Sequence, residues 1–458
     1  MQTIDDLHTE ILAEVFEFAA APLDPTICNV NQVVSLMYVC RRWMAILRSN
    51  GRMWSNIHIR GQDLAVLDAQ LTLCRKAPLF VLVKVPPRNA AKYSCYLDFR
   101  KNIRGAVGLI RQRRDQIKRL EVHMDCQTLQ EQLGCEWSNL KELVWVDTCP
   151  PGASVHGISR ESPVSGRLPM LKILSIGGCT NWSINVVTHL TTFKLEGPIR
   201  LELPTLIEFF RRNTSLESLE LTNLDVWRPL NNHRVEPIEL PHLTTLLVRD
   251  ATCGCLLSLL NLPSLNRLCV FSLKERNPWS DYDWSKLCSR LSITSFEGHY
   301  SASIRETVTI TGSNGSDTQS FDFREAAYGP TLFRSLSNAS LPSVTSVSLI
   351  RNMPEGGVSS SLTAAICGLL EQLPRVECMR LCPGGLAVEV MRRLSENSEL
   401  CPELRELEVM VTGETRARTI AELMTKVARV RGDGREMITI ESLYPVGSQR
   451  FTETDYEV

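Results

Sequence analysis

The chain has 458 residues, 43% of them hydrophobic and 22% charged, and its 50 Lys and Arg stand against 51 Asp and Glu for a formal charge of -1. That is enough apolar material for several ordinary domains or one elongated repeat array, and it excludes a disordered or collagen-like chain. The balanced charge supplies no whole-molecule field toward nucleic acid or an acidic membrane, so either kind of binding would need a local patch.

Export is not expected, because Asp5, Asp6, Glu10, Glu14 and Glu17 stand where a signal peptide would carry a basic start and an apolar stretch. The expected location is cytoplasmic or nuclear. The longest uncharged run, from Ile173 to Phe193, is interrupted by Gly177, Gly178, Asn181, Asn185 and His189, and no membrane span is expected. The 16 cysteines are scattered over a long chain and read as reduced, mostly buried thiols. The glycosylation sequons at Asn181, Asn213, Asn314 and Asn338 carry no weight without export.

From Leu7 to Ala19, LHTEILAEVFEFA reads as a helix, with Asp5 and Asp6 favouring its start and Pro22 closing its far end. Its apolar residues form two lines: Leu7, Ile11, Val15 and Phe18 on one, Leu12, Phe16 and Ala19 on the other. One neighbouring helix can cover only part of that arc. A second helix is expected after Asn31, with apolar residues at Val33, Leu36, Met37, Cys40, Trp43, Met44 and Leu47 and a stop at Asn50 and Gly51. Then RMWSNIHI adds Met53, Trp54, Ile57 and Ile59. A unit this small has little core of its own, so part of its apolar surface should face another domain or another chain.

These three blocks, in this order and spacing, resemble an F-box, especially the F-box-like domains of fungal proteins. Leu7, Glu10, Ile11 and Leu12 match the family's Leu-Pro-x-Glu-Ile-Leu opening, and His8 replaces its proline. The resemblance covers roughly residues 4 to 60. It implies docking onto the Skp adaptor of a Skp/cullin/F-box ubiquitin ligase, and by position it assigns Leu7, Glu10, Ile11, Leu12, Val15, Val39, Cys40 and Trp43 to adaptor contact or to the module core. The loss of proline at a first helical turn should weaken the helix start without abolishing it.

Beyond residue 60 one short pattern, apolar-x-x-apolar-x-apolar, recurs. It stands at Ile117/Leu120/Val122, Leu140/Leu143/Trp145, Leu171/Leu174/Ile176, Leu190/Phe193/Leu195 and Leu216/Leu219/Leu221. It returns at Leu243/Leu246/Val248, Leu265/Leu268/Val270, Val344/Val347/Leu349, Val376/Met379/Leu381 and Leu404/Leu407/Val409. Most successive starts are 19 to 32 residues apart, near the leucine-rich-repeat range. Apolar residues two apart in a strand share a face, so each pattern predicts a short strand with that face toward a core. Helix-compatible PTLIEFFRRN, SSLTAAICGLLEQL and AVEVMRRLSENS would form an outer layer.

The expected architecture is therefore α/β: a small helical domain over 1–60, then a leucine-rich-repeat solenoid over 61–430 with a parallel inner sheet. AVLDAQLTLCRKA and PLFVLVKV would join the two parts. The long gap in the pattern reads as a β-hairpin at about 304–324, turning at Gly312 to Asp317, and 431–458 as a polar tail. The irregular repeat lengths again resemble the leucine-rich repeats of F-box proteins.

No catalytic, metal or cofactor site is expected. There is no Cys-x-x-Cys; Cys253 with Cys255, and Cys378 with Cys382, lie in or beside apolar segments and read as packing residues. Glycine pairs at Gly177-Gly178, Gly356-Gly357 and Gly384-Gly385 lack phosphate-loop spacing and read as turns. The basic stretch Arg100 to Arg119 reads as a solvated helix face, with contact to an acidic partner as the alternative; it lacks aromatic residues for stacking on bases, and nucleic acid is not expected. The outward strand positions Arg119, Glu121, Glu220, Arg249, Arg267, Arg380, Glu406 and Glu408 are candidates for holding a target protein. The reading is a non-catalytic substrate receptor bridging a target to the adaptor and, through it, a cullin. Its rivals are a repeat scaffold outside any ligase and a hydrolase or thiol enzyme built on the repeats, which would need a reactive cysteine of lowered pKa beside a base.

Overall fold

The computed structural model describes residues 4, 7–20, 30–60, 63–85, 93–124, 136–148, 168–178, 187–227, 237–249, 259–265, 267–272, 293–301, 305–314, 317–325, 344–351, 360–381, 385–409 and 414–431. Asp5, Asp6, Pro22, the hairpin turn at 315–316, Cys253, Cys255, Cys382, Gly356-Gly357 and 432–458 lie outside that set. The chain forms two compact units, Met1–Asn232 and His233–Val458. It is mixed α/β, with parallel strands and helices, and no described helix is long and apolar enough to cross a membrane.

In the first unit, α1 spans Thr9–Ala19. It starts two residues later than expected from Leu7, because His8 takes an extended N-cap conformation (φ -60°, ψ 149°). The single second helix of the sequence reading is two, α2 (Val30–Met37) and α3 (Arg41–Ser49). Between them Cys40 is extended (φ -158°, ψ 166°), and its Sγ accepts the Trp43 N–H at 3.5 Å as an N-cap would. The break over Tyr38 to Cys40 uses up nearly one helical turn, so the apolar period survives it and hides it. Leu12, Phe16, Val33 and Leu47 form the local core.

The 3-10 turn Gly51–Trp54 leads into β1 (Asn56–Ile59). After α4 (Leu64–Cys74), β2 (Leu79–Lys84) lies parallel to β1, so the boundary drawn at residue 60 falls inside a continuous sheet. Gln70 Nε2 donates to the carbonyls of Trp54 and Asn56 at 3.1 and 3.0 Å, and Cys74 Sγ to that of Trp54 at 2.8 Å. Gly51 passes so close to α4 that a Cβ there would stand 2.4 Å from the Cys74 carbonyl oxygen.

α5 (Tyr93–Gln112) precedes β3 (Ile117–His123), β4 (Glu142–Val146), β5 (Ile173–Gly177) and β6 (Thr192–Glu202); α6 (Leu203–Arg212) precedes β7 (Ser218–Trp227). β1 to β7 pair in sequence order, every pair parallel. The apolar positions of the five patterns here are at most 2% exposed. α5 buries Ile103, Ala106, Val107 and Ile110 and exposes Arg104 and Arg111. Gly178 ends β5 at φ 73°, where a Cβ would lie 2.6 Å from the Asp147 carbonyl oxygen.

Asn213, at the end of α6, is fully buried. Its Nδ2 donates to the carbonyls of Phe209 and Val187 at 2.9 and 3.1 Å, and its Oδ1 accepts the Leu190 N–H at 3.1 Å. The corresponding place before earlier strands, three residues ahead of the first apolar position, holds Trp137, Leu168 and Val187. Here one polar side chain ties two consecutive repeats by satisfying backbone groups that no water reaches.

The strands of the second unit are β8 (Ile238–Glu239), β9 (Thr245–Arg249), β10 (Leu260–Asn261), β11 (Arg267–Ser272), β12 (Ile293–Ser301), β13 (Arg305–Asn314), β14 (Asp317–Glu325), β15 (Ser346–Arg351), β16 (Cys378–Leu381) and β17 (Glu406–Val409). β9, β11 and β14 are parallel neighbours, as are β12, β15, β16 and β17. Between these runs β14, β13 and β12 are antiparallel. β13 and β14 occupy the range of the expected hairpin, but Gly312, expected in the turn, is still paired with Gln319. β12 was not expected, since ITSFEGHYS lacks the apolar triplet. The described helices of this unit are α7 (Ser360–Leu370), α8 (Gly385–Glu396) and α9 (Glu414–Arg431), with α8 packed on both others.

Candidate functional site

The amino-terminal helices separate the apolar residues of α1 into a covered and an uncovered line. Leu12 and Phe16 face inward, 0% and 1% exposed, and the Phe16 ring meets Trp43 with centroids 4.6 Å apart. On the other line Leu7, Ile11, Val15 and Phe18 are 36%, 47%, 43% and 87% exposed. The Arg42 guanidinium donates to the Leu7 carbonyl, which brings the start of α3 to the start of α1. Beside it Tyr38 and Val39 are 82% and 58% exposed.

Of the positions carried over from the resemblance, Leu7, Glu10, Ile11, Val15 and Val39 are exposed, and Cys40 and Trp43 are half-buried. Leu12, assigned to adaptor contact or to the module core, is 0% exposed, so it packs inside the module and has no surface to offer a partner. Phe18, Tyr38 and Ile4 belong to the exposed set and were left out of the sequence assignment; a large apolar residue on the same helical line as Ile11 was the available signal for Phe18.

Half of the candidate target-binding charges are engaged with one another. The Arg119 guanidinium lies 3.2 Å from Glu121 and 3.4 Å from Glu142, and His123 Nε2 is 2.9 Å from Glu121. The His123 hydrogen bond, helped by Arg119 and opposed by burial, holds the Glu121 carboxyl below the usual range. Glu220 is 3.0 Å from Lys194. In the second unit Arg380 stands opposite Glu408 in the register and reaches it at 2.9 Å. Arg249 is half-buried at the end of β9, opposite Phe271, and Arg267 stands in register between Thr245 and Ser320. The first unit thus joins Arg119 with Glu121, and the second Arg380 with Glu408.

Cys378 is a correction, because it is half-exposed on β16, not buried, with its Sγ donating to Glu406 at 3.3 Å. Desolvation and that carboxylate push its pKa up. Burial raises Cys367 as well, and lifts Cys74 to about 12. These three thiols are shifted in the direction opposite to nucleophile activation. Among the described residues no group of three or more His, Cys, Asp or Glu is placed to hold a metal ion.

No protein-family model matches the chain, and no curated protein matches it.

Proposed function

We propose that the chain is a non-catalytic substrate receptor of a Skp/cullin/F-box ubiquitin ligase. In this reading residues 1–60 are an F-box-like module that docks a Skp adaptor, and the strand-and-helix repeats are a leucine-rich-repeat solenoid that holds a target protein. The observation that carries it is the uncovered line Leu7, Ile11, Val15 and Phe18 on a helix whose Leu12 and Phe16 are already buried. Such a face on so small a module favours an apolar partner. Fully covering a side chain of this kind is worth up to about 1.5–3 kcal/mol, so the four together contribute a substantial share of the roughly 4–15 kcal/mol that association costs.

The ten apolar triplets, their parallel strands and the irregular repeat lengths support the solenoid part of the reading. The departure at His8 is mild, since its φ of -60° is the value a proline ring imposes. The receptor would accelerate transfer by holding the target near the ubiquitin-loaded enzyme, with no reacting group of its own.

The test is direct binding of the purified full chain to a Skp adaptor, wild type against the double variant Leu7→Asp and Ile11→Asp. Both positions are exposed, so the variant should keep its helical circular dichroism and its unfolding temperature while losing the adaptor. A folded wild type that does not bind would overturn the ligase reading and leave a repeat scaffold.

A further inference from the structure

Because β1 to β7 are all parallel, their leading ends lie along one edge of the first unit. One backbone position repeats along that edge. The Lys118 carbonyl accepts the Lys141 N–H at 2.8 Å, the Lys141 carbonyl accepts the Lys172 N–H at 2.8 Å, and the Lys172 carbonyl accepts the Thr191 N–H at 2.8 Å. These bonds put Lys118, Lys141 and Lys172 at equivalent places on three neighbouring strands, about 4.8 Å per step. Each directly follows the first apolar residue of its pattern, Ile117, Leu140 or Leu171. Lys141 and Lys172 are exposed and Lys118 is half-buried.

The charge is reinforced from the preceding turns. Arg111 and Arg114 lead into β3 and Lys76 into β2, all exposed. Among the described residues no carboxylate lies within ion-pair distance of these six cations. Asp115, within the same turn, accepts from Ser138 Oγ at 3.1 Å, and Lys172 Nζ donates to the His189 carbonyl at 3.4 Å. The fold does not demand lysine here: in the second unit the same ladder position is held by Thr345, Glu377 and Arg405, joined by bonds of 2.7 Å.

Like charges stacked on neighbouring strands repel one another, and these fall within about one Debye length at physiological salt. The arrangement therefore costs free energy in the isolated chain and releases it when carboxylates arrive. We propose that Lys118, Lys141 and Lys172, flanked by Arg111, Arg114 and Lys76, form a docking strip for an acidic segment of a protein partner. An extended segment presents alternate side chains about 6.6 Å apart, within reach of flexible lysines. Two aromatic side chains stand at this edge, Trp137 at 1% exposure and Phe80 of β2 at 41%; one exposed ring is not the succession of platforms on which consecutive bases stack, which favours protein over nucleic acid. The strip is separate from the apolar face of α1 and does not depend on adaptor docking.

The test measures fluorescence anisotropy of a labelled oligoglutamate peptide with the full chain. Wild type should bind, with affinity falling as salt rises, and the triple variant Lys118→Gln, Lys141→Gln, Lys172→Gln should bind at least about tenfold more weakly. The triple Lys→Arg variant, and Lys426→Gln at a lysine that is not part of the strip, should bind as wild type. No binding by wild type at low salt, or equal binding by the folded glutamine variant, would overturn the strip. So would an oligonucleotide of equal charge that binds more tightly through the same three lysines.

Discussion

Phe16 of α1 and Trp43 of α3 meet with ring centroids 4.6 Å apart and planes at 57°, and this pair sets which apolar line of α1 turns inward. Phe16→Ala should destabilise the chain by about 3–5 kcal/mol, the usual cost of emptying a buried aromatic site. Trp43→Ala should cost less, since Trp43 is half-buried. Urea unfolding of both singles and the double should give a coupling of about 0.5–1.5 kcal/mol, with additivity counting against the contact.

Adjacent residues on α1 should respond oppositely to charge. Ile11→Asp, at a 47% exposed site, should leave stability within about 0.5 kcal/mol, whereas Leu12→Asp buries an unpaired carboxyl and should cost several kcal/mol. Thermal unfolding of the two variants separates them, and similar losses would contradict the assignment of faces.

Asn213→Ala should cost about 1–3 kcal/mol for each polar group it leaves unpaired. The local readout is hydrogen exchange of the Leu190 amide, which Asn213 Oδ1 accepts at 3.1 Å. That amide should lose protection beyond the amount expected from the global destabilisation.

Glu121 and Cys74 should each give stability a dependence on pH. Glu121 is held below its ordinary value chiefly by His123, so as pH falls the unfolded chain takes up the proton first. The stabilisation is present above the ordinary glutamate range and lost as pH drops through the folded value; His123→Ala should flatten that acid limb. Cys74 moves the other way. Burial lifts its thiol from 9.0 to about 12, so the unfolded state ionises first between those values and stability falls as pH rises through that window. Cys74→Ser, which keeps a donor for the Trp54 carbonyl, should remove that alkaline slope in denaturation curves.

His8→Pro should stabilise α1 by about 0.4–1 kcal/mol, because the native φ is already -60° and the unfolded chain loses freedom. A drop in unfolding temperature would show that Leu7 cannot accept a following proline.

Much of the sheet was legible before the structure, because triplets such as Leu216/Leu219/Leu221 can bury all three side chains only on a strand with a single inward face. The two lines on α1 were legible too, but not their direction: both are apolar, and the choice belongs to Trp43, more than twenty residues away in sequence. β12 escaped because Ile293 to Ser301 carries no apolar triplet and is held between an antiparallel and a parallel neighbour. Cys40 escaped because a thiol is a weak acceptor seldom read as a cap. The lysines at 118, 141 and 172 stand far apart along the chain, and only parallel register turns them into neighbours.

The pairing of β1 with β2 bears on how the amino-terminal helices can be removed. Cutting the chain after residue 60 would strip β2 of its neighbour and expose backbone donors and acceptors along a new sheet edge, a template for sticking to other chains. It would also take away the Trp54 and Asn56 carbonyls that hold Gln70, and the floor on which Cys74 rests. A shortened chain that fails to bind, or that aggregates, would report on damage to the repeats as much as on the missing helices.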